Sequence, residues 1–331
     1  MLLFTKRLTR ASAILMAAAA GLFAHSLVQA QAYPSRPVHL VVPAAAGGPT
    51  DVMSRLMGEK LSAQWGQSVV IDNRPGGNSI IGAQIVAKAP PDGYTLLAAL
   101  DSILTMHQYL YAKLPYDPTR DFVPVAMFVR GPLVLLTDSA KGPKNVKELF
   151  DQIKAGGAGK VTIGVGTLIT QLGAELIKLR FGLNNLTVVP YNGSAPTTQG
   201  LLSNDVTFTM DVVTAALPHL KSGRFRVLAN MSPVPIEALP AAPSFASETG
   251  VSGVEVNSWA GYVAPAGVAP EIVTKLNTDI MRALAQPDVK ERVAGFGLVA
   301  GSGTAAEFAA YVRSESEKWG QVIKQSGFKV E

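Results

Sequence analysis

The stretch Val38-His39-Leu40-Val41-Val42, followed by Pro43-Ala44-Ala45-Ala46-Gly47-Gly48-Pro49-Thr50-Asp51, decides the fold. An apolar run of strand character leads into a loop of small residues. The amphipathic run Val52–Leu61 follows, Ser68–Asp72 reads as a second strand, and Asn73–Ser79 is a second Gly-rich loop. A loop this bare lets a ligand approach backbone N–H groups at a helix N-terminus, where aligned peptide dipoles favour an anion. The loop holds no nucleophile–base pair and no cluster of metal ligands. The pattern therefore points to holding an anion rather than transforming it.

The start of the chain reads as an export signal. Lys6, Arg7 and Arg10 form a basic region, Ala11–Phe23 is apolar, and Val28-Gln29-Ala30 fits the small-x-small cleavage rule. The apolar run is short of the roughly 20 residues that span a bilayer, so residues 1–30 are expected to be removed near Ala30. With no cysteine in the chain, disulfide staples, thiolate metal sites and lipid attachment at an N-terminal Cys are excluded. These features predict a soluble periplasmic protein. The 29 Lys and Arg against 24 Asp and Glu become 26 against 24 once the three signal cations are gone, a balance of +2. The basic balance is thus largely a property of the signal and gives no reason to expect nucleic-acid binding. The remaining roughly 300 residues suggest two lobes, and 48% hydrophobic with 16% charged residues suits an α/β protein with buried parallel strands.

Strand and helix patterns alternate along the chain. Ile81–Lys88 reads as a helix and Tyr94–Leu100 as a strand, with a helix to follow at Ser102–Tyr109. Phe122–Phe128 and Leu133–Thr137 read as two strands, and Val146–Ala155 as a helix with Val146, Leu149, Phe150 and Ile153 on one face. Val161–Val165, Thr187–Pro190, Val206–Asp211, Arg226–Asn230 and Trp259–Ala264 are further strands. Gln171–Phe181, Ile272–Ala285, Pro287–Phe296 and Ala305–Ser326 are further helices. This alternation predicts parallel sheets with helices on both faces. Gly131-Pro132 and the Pro-rich stretch Pro233–Pro243 are candidate crossings between lobes.

Candidate binding residues follow from position. Ala44, Ala46, Gly47 and Gly48 either approach a ligand or form an ordinary strand–helix turn, in which Gly47 and Gly48 supply positive φ. Thr50 and Asp51 suit a helix cap better than a ligand contact. Asn78 and Ser79 sit in the second Gly-rich loop. Asp101 and Ser102 follow a strand, at the usual ligand edge of an open α/β sheet; Asp101 equally suits a cap on the next helix. Gly164, Val165, Gly166, Thr167 and Gln171 form another strand–helix loop, Tyr191 follows a strand, and Asp211 ends one with a capping role open to it. His39, in a strand, reads as a core or interface residue. No histidine lies at metal spacing, and no P-loop, dinucleotide fingerprint or Gly-x-Ser-x-Gly frame is present. No metal, cofactor or catalytic residue is expected.

Several further segments carry a resemblance. Tyr33-Pro34-Ser35-Arg36-Pro37, Pro43–Asp51, Asn73-Arg74-Pro75-Gly76-Gly77, Ala89–Tyr94, Leu114-Pro115-Tyr116-Asp117-Pro118 and Asp121–Val125 come first. Val189–Pro196, Ala216–His219, Trp259–Tyr262 and Ala264–Gly267 follow. In number and order they resemble the periplasmic solute receptors of tripartite tricarboxylate transporters, also called the Bug family. The resemblance implies a two-lobe periplasmic-binding fold of type II-like kind, with the ligand between the lobes. Residues 31–130 with 250–331 would form one lobe and 131–249 the other. It also implies a monomer that captures a small organic carboxylate or related polar metabolite, without an obligatory Arg clamp, and passes it to membrane permease subunits. Two segments depart from the family pattern. Val165-Gly166-Thr167-Leu168-Ile169-Thr170-Gln171 is shorter, lacks the usual serines and has Gln171 in place of a His. Asp101 puts a carboxylate where the family has small hydroxyl or amide residues, which favours a ligand that pairs an acceptor group with a donor. A co-receptor that presents its ligand to a membrane sensor kinase, and an exported enzyme with an unrecognised site, are the rival readings.

Overall fold

The computed structural model describes residues 33–157 and 160–330. The signal at 1–30, its cleavage near Ala30 and the mature start at Gln31 lie outside the described residues. Tyr33–Arg36 are a short stretch by themselves, with a cis peptide bond between Tyr33 and Pro34. The body of the protein begins at Pro37.

Strand β1 (Val38–Val42) lies parallel to β2 (Val69–Asn73) on one side and β3 (Thr95–Leu100) on the other. Helices α1 (Pro49–Trp65) and α2 (Ile80–Ala87) make the crossovers. Parallel sheets throughout are the expectation, and the structure corrects it. Strand β9 (Asn257–Pro265) returns from late in the chain and runs antiparallel to both β3 and β4 (Phe122–Asp138). The two strands expected at Phe122–Phe128 and Leu133–Thr137 are one strand of 17 residues, β4. Up to Pro132 it pairs with β9. From Leu133 onward it pairs antiparallel with β7 (Phe208–Val212) and β8 (Phe225–Asn230). Proline has no N–H to give a ladder, so Gly131-Pro132 reads as a break in the sequence. In the fold it marks the point where one strand changes neighbours. Parallel strands β5 (Thr162–Val165) and β6 (Thr187–Pro190) extend the second sheet from β7. The two-residue β10 (Val299–Ala300) pairs with β4 at Val129 and Arg130.

The helix expected at Ser102–Tyr109 is two short turns, α3 (Asp101–Thr105) and α4 (His107–Leu110), separated at Met106. Next come α5 (Val146–Ala155), α6 (Leu168–Phe181), α7 (Ser194–Leu202) and α8 (Val213–Lys221). Helices α9 (Phe245–Thr249), α10 (Pro270–Leu284), α11 (Pro287–Gly295) and α12 (Ala305–Ser326) complete the described set. Helix α6 starts three residues earlier than its apolar periodicity predicts, because Thr167 and Thr170 close a reciprocal cap around its first turn. Thr304 and Glu307 do the same for α12, with the Thr304 N–H donating to Glu307 Oε2 at 2.7 Å. His39, expected in a core or at an interface, is exposed on β1.

Separate cores pack on the two sheets. Val41, Leu97, Ala99, Val263, Trp259 and Phe308 belong to one. Leu133, Leu135, Ile163, Phe208, Met210 and Trp319 belong to another. Helix α12 serves both, with Phe308 near its start and Trp319, Val322 and Ile323 near its end. Gly261 of β9 lies directly under Phe308, so a Cβ there would collide with the ring. Gly261→Ala is therefore expected to destabilise the protein by about 1–3 kcal/mol, as overpacking does. Chemical denaturation should show that loss shrinking when Phe308→Leu opens the space; an equal loss in both backgrounds would show that the ring is not the obstacle.

Candidate ligand-binding cleft

A cavity of about 650 Å³ opens between the two sheets, lined from both. It lies where parallel strands end and helices begin, so the lining is mostly first-turn backbone. Pro49 and Thr50 open α1, and Ser79 is the N-cap of α2. Thr167, Leu168 and Ile169 open α6, Gly193 and Ser194 open α7, and Val212 and Thr214 flank the start of α8. Five helix N-termini thus converge on one space, each carrying roughly half a positive charge in its unpaired N–H groups. Among the described residues that line the cavity there is no Lys or Arg.

Close backbone approaches hold these ends in place. The Gly193 N–H donates to the Gly166 carbonyl at 3.0 Å. A Cβ on Gly166 would stand 2.6 Å from Thr197 Oγ1 and 2.7 Å from the Gly193 backbone, so only glycine fits there. Asn78 and Ser79 adopt φ of 50° and 73°, unusual for residues with side chains. That bend lets Ser79 Oγ donate to the Pro43 carbonyl at 2.9 Å, while Asn78 Nδ2 donates to Tyr111 Oη at 2.7 Å.

The expected contact residues divide by position. Asn78, Ser79, Asp101, Ser102, Gly166, Thr167, Gln171 and Tyr191 line the cavity. Ala44, Ala46, Gly47 and Gly48 do not, because their loop is tied to Asp51 instead. Asp51 Oδ2 accepts the Gly47 N–H at 2.8 Å and Arg55 Nε at 3.0 Å, and Oδ1 accepts Asn73 Nδ2 at 2.9 Å. Burial works to raise the Asp51 pKa, but these hydrogen bonds outweigh it and hold the carboxyl below its usual range. Gly164 and Val165 are buried in β5 and do not line the cavity. Asp211 lies just behind it, accepting the Ser194 hydroxyl at 2.6 Å and the Val212 N–H at 2.7 Å. Burial raises its pKa, against the pull of both donors.

Asp101 is the first residue of α3 and only 5% exposed. Its Oδ1 accepts the Ser102 N–H at 2.6 Å and its Oδ2 the Trp259 N–H at 3.3 Å. Burial pushes its pKa up to about 7, although Ser102, Trp259 and the Ser258 hydroxyl donate to it. His107 was not among the expected contacts, yet it lines the same cavity and is fully buried. Its Nδ1 lies 2.8 Å from Tyr116 Oη, and burial lowers its pKa to about 4, so the ring is neutral. Ser258, Trp259 and Ala260 of β9 also line the cavity without any local signal, since β9 reaches it only by crossing between β3 and β4. Asn192, Gly193 and Ser194 were legible as the turn after Tyr191, a Gly/Ser segment before a helix. Among the described residues, no group of three or more His, Asp or Glu is placed to hold a metal.

Comparison with known proteins agrees with this architecture. The profile of the family described as "Tripartite tricarboxylate transporter family receptor" matches residues 53–328. Protein BugT of Bordetella pertussis is 35% identical over 306 residues, covering 92% of this chain and 93% of BugT. Among solved structures, Rpa4515 of R. palustris with adipate superposes with a TM-score of 0.77 at 35% identity, covering 89% of this chain and 98% of that one. MatC of Rhodopseudomonas palustris with bound malate superposes with a TM-score of 0.73 at 30% identity, covering 88% and 100%. The two-lobe periplasmic-binding fold is common to them. The chain belongs to the tripartite tricarboxylate transporter receptor family, the Bug proteins.

Proposed function

We propose that this protein is a periplasmic solute receptor that captures a small organic carboxylate and delivers it to the membrane permease of a tripartite transporter. The observation that carries this reading is the convergence of five helix N-termini on one cavity whose described lining has no Lys or Arg. Backbone N–H groups and hydroxyls can hold a carboxylate there without a guanidinium clamp. Thr50, Ser102, Thr167, Gln171 and Tyr191 supply the side-chain polar contacts in this reading, while Ser79 and Ser194, whose hydroxyls are already donated to Pro43 and Asp211, offer backbone N–H groups at their helix starts. Ala44, Ala46, Gly47 and Gly48 set the entry of α1, while Gly164, Val165 and Asp211 back the second wall. The bound adipate and malate of the two relatives support a carboxylate as the ligand class.

The lobes in this reading are 31–130 with 250–331, and 131–249. The change of partners in β4 at Pro132 and the return of the chain through β9 from Asn257 support that division. A ligand touching both walls favours the closed arrangement by its differential affinity, and a closed monomer is the form the permease would recognise. Removal of the signal near Ala30 places the mature protein in the periplasm. Binding rather than catalysis is supported by two of the serines that line the cleft. Ser194 donates to Asp211 and Ser79 to a backbone carbonyl, so neither is paired with an imidazole base.

Mature protein beginning at Gln31 should show a clear upward melting shift with at least one small carboxylate. At 100 times its dissociation constant such a ligand adds about 2.7 kcal/mol of stability. The corresponding neutral amide should give none; equal shifts from acid and amide would argue against an anion site. Gly166→Ala should weaken carboxylate binding at least about tenfold in isothermal titration, because the new methyl forces the α6 and α7 ends apart. Unchanged affinity would place the ligand away from those two helix ends.

A further inference from the structure

The charges in the cleft are one-sided in a way that a plain dicarboxylate does not explain. Asp101 lines the cavity, is nearly fully buried, and the charge on α12 that acts on it is another acid, Glu315. Glu315 is itself engaged by Lys318 Nζ at 3.2 Å and Trp319 Nε1 at 3.0 Å. Arg130 of β4 is turned over the Tyr311 ring, 5.5 Å from its centroid. Each described hydrogen bond of Asp101 has it accepting, from Ser102 and Trp259 backbone and the Ser258 hydroxyl. It is held as an acceptor. A second, independent group points the same way. His107 is fully buried, lines the same cavity, has its Nδ1 taken by Tyr116 and leaves its Nε2 without a partner. Behind the opposite wall Asp211 is buried too, and its Oδ2 also lacks a partner.

From this geometry we infer that Asp101 and His107 form a specificity subsite for a cationic ammonium group. The preferred ligand is then a zwitterion with a carboxylate at one end and an ammonium at the other, rather than a dianion. The inference rests on the carboxylate reading above, with the helix N-termini taking the anionic end. An ammonium supplies the counter-charge that Asp101 lacks. It also satisfies the imidazole, whose Nε2 accepts when Nδ1–H donates to Tyr116 Oη. A dianion brings its second carboxylate against a buried acid, where like charge and desolvation both oppose it.

The test is isothermal titration of the mature protein with matched pairs: malonate and β-alanine, succinate and 4-aminobutanoate, glutarate and 5-aminopentanoate, adipate and 6-aminohexanoate. The tightest amino acid is expected to bind at least about tenfold better than its dicarboxylate partner. Asp101→Asn, which keeps the side-chain shape, should level that ratio to within about threefold. His107→Asn, which keeps a partner for Tyr116 while deleting Nε2, should weaken only the amino acid. Between about pH 6 and pH 8 the amino-acid affinity of the wild type should rise as Asp101 ionises, and Asp101→Asn should flatten the profile. Dicarboxylates binding as well as or better than their partners overturn the subsite and leave the carboxylate reading standing. So does a preference that survives Asp101→Asn. Silence across all eight compounds overturns both.

Discussion

Strand β4 belongs to two sheets at once, and the cleft exists because of it. One continuous backbone carries the ladder of β9 up to Pro132 and the ladders of β7 and β8 beyond it. A strand twists but does not fold back on itself within a few residues, so the two sheets meet at a shared line. Helix α12 repeats the arrangement in a different layer, with Phe308 in one core and Trp319 in the other. Residues of β4 itself, Val129 and Gly131, line the cavity at the changeover.

The electrostatics follow from the same topology. Parallel strands that end at the cleft must each be followed by a helix that begins there, which gathers N-termini on both walls. In the proposed reading, fixed backbone dipoles do the work that mobile Lys or Arg side chains do elsewhere. They lose little side-chain freedom on binding, and they suit a receptor that must also release its ligand. Asp51 shows the limit of this logic. It accepts the Gly47 N–H from inside the protein and so ties the Gly-rich loop to the first turn of α1.

Much of this was legible in the chain. The strand, small-residue loop and helix from Val38 to Leu61 are local patterns, and periodicity and glycine spacing report them directly. The strand ends that hold Asn78, Ser79, Asp101, Gly166, Thr167, Gln171 and Tyr191 were legible for the same reason, since a strand–helix junction is a sequence feature and the ligand edge follows from it. Ala44, Ala46, Gly47 and Gly48 are candidate contacts in the sequence because bareness is visible there, whereas the Asp51 and Asn73 bonds that tie the loop down join residues up to 29 positions apart.

By itself, then, the sequence determined the β–α units and, through motifs spread along the chain, the family. These are properties of neighbouring residues. Only the tertiary structure decided that β9 crosses between β3 and β4, and that β4 is one strand rather than two. It alone brought the Trp259 N–H to Asp101 across 158 positions, buried His107 beside the cavity, and left the described lining without a cation. Each depends on which distant segments pack together, and a charge or an imidazole acquires its role only when burial removes the water that would otherwise satisfy it.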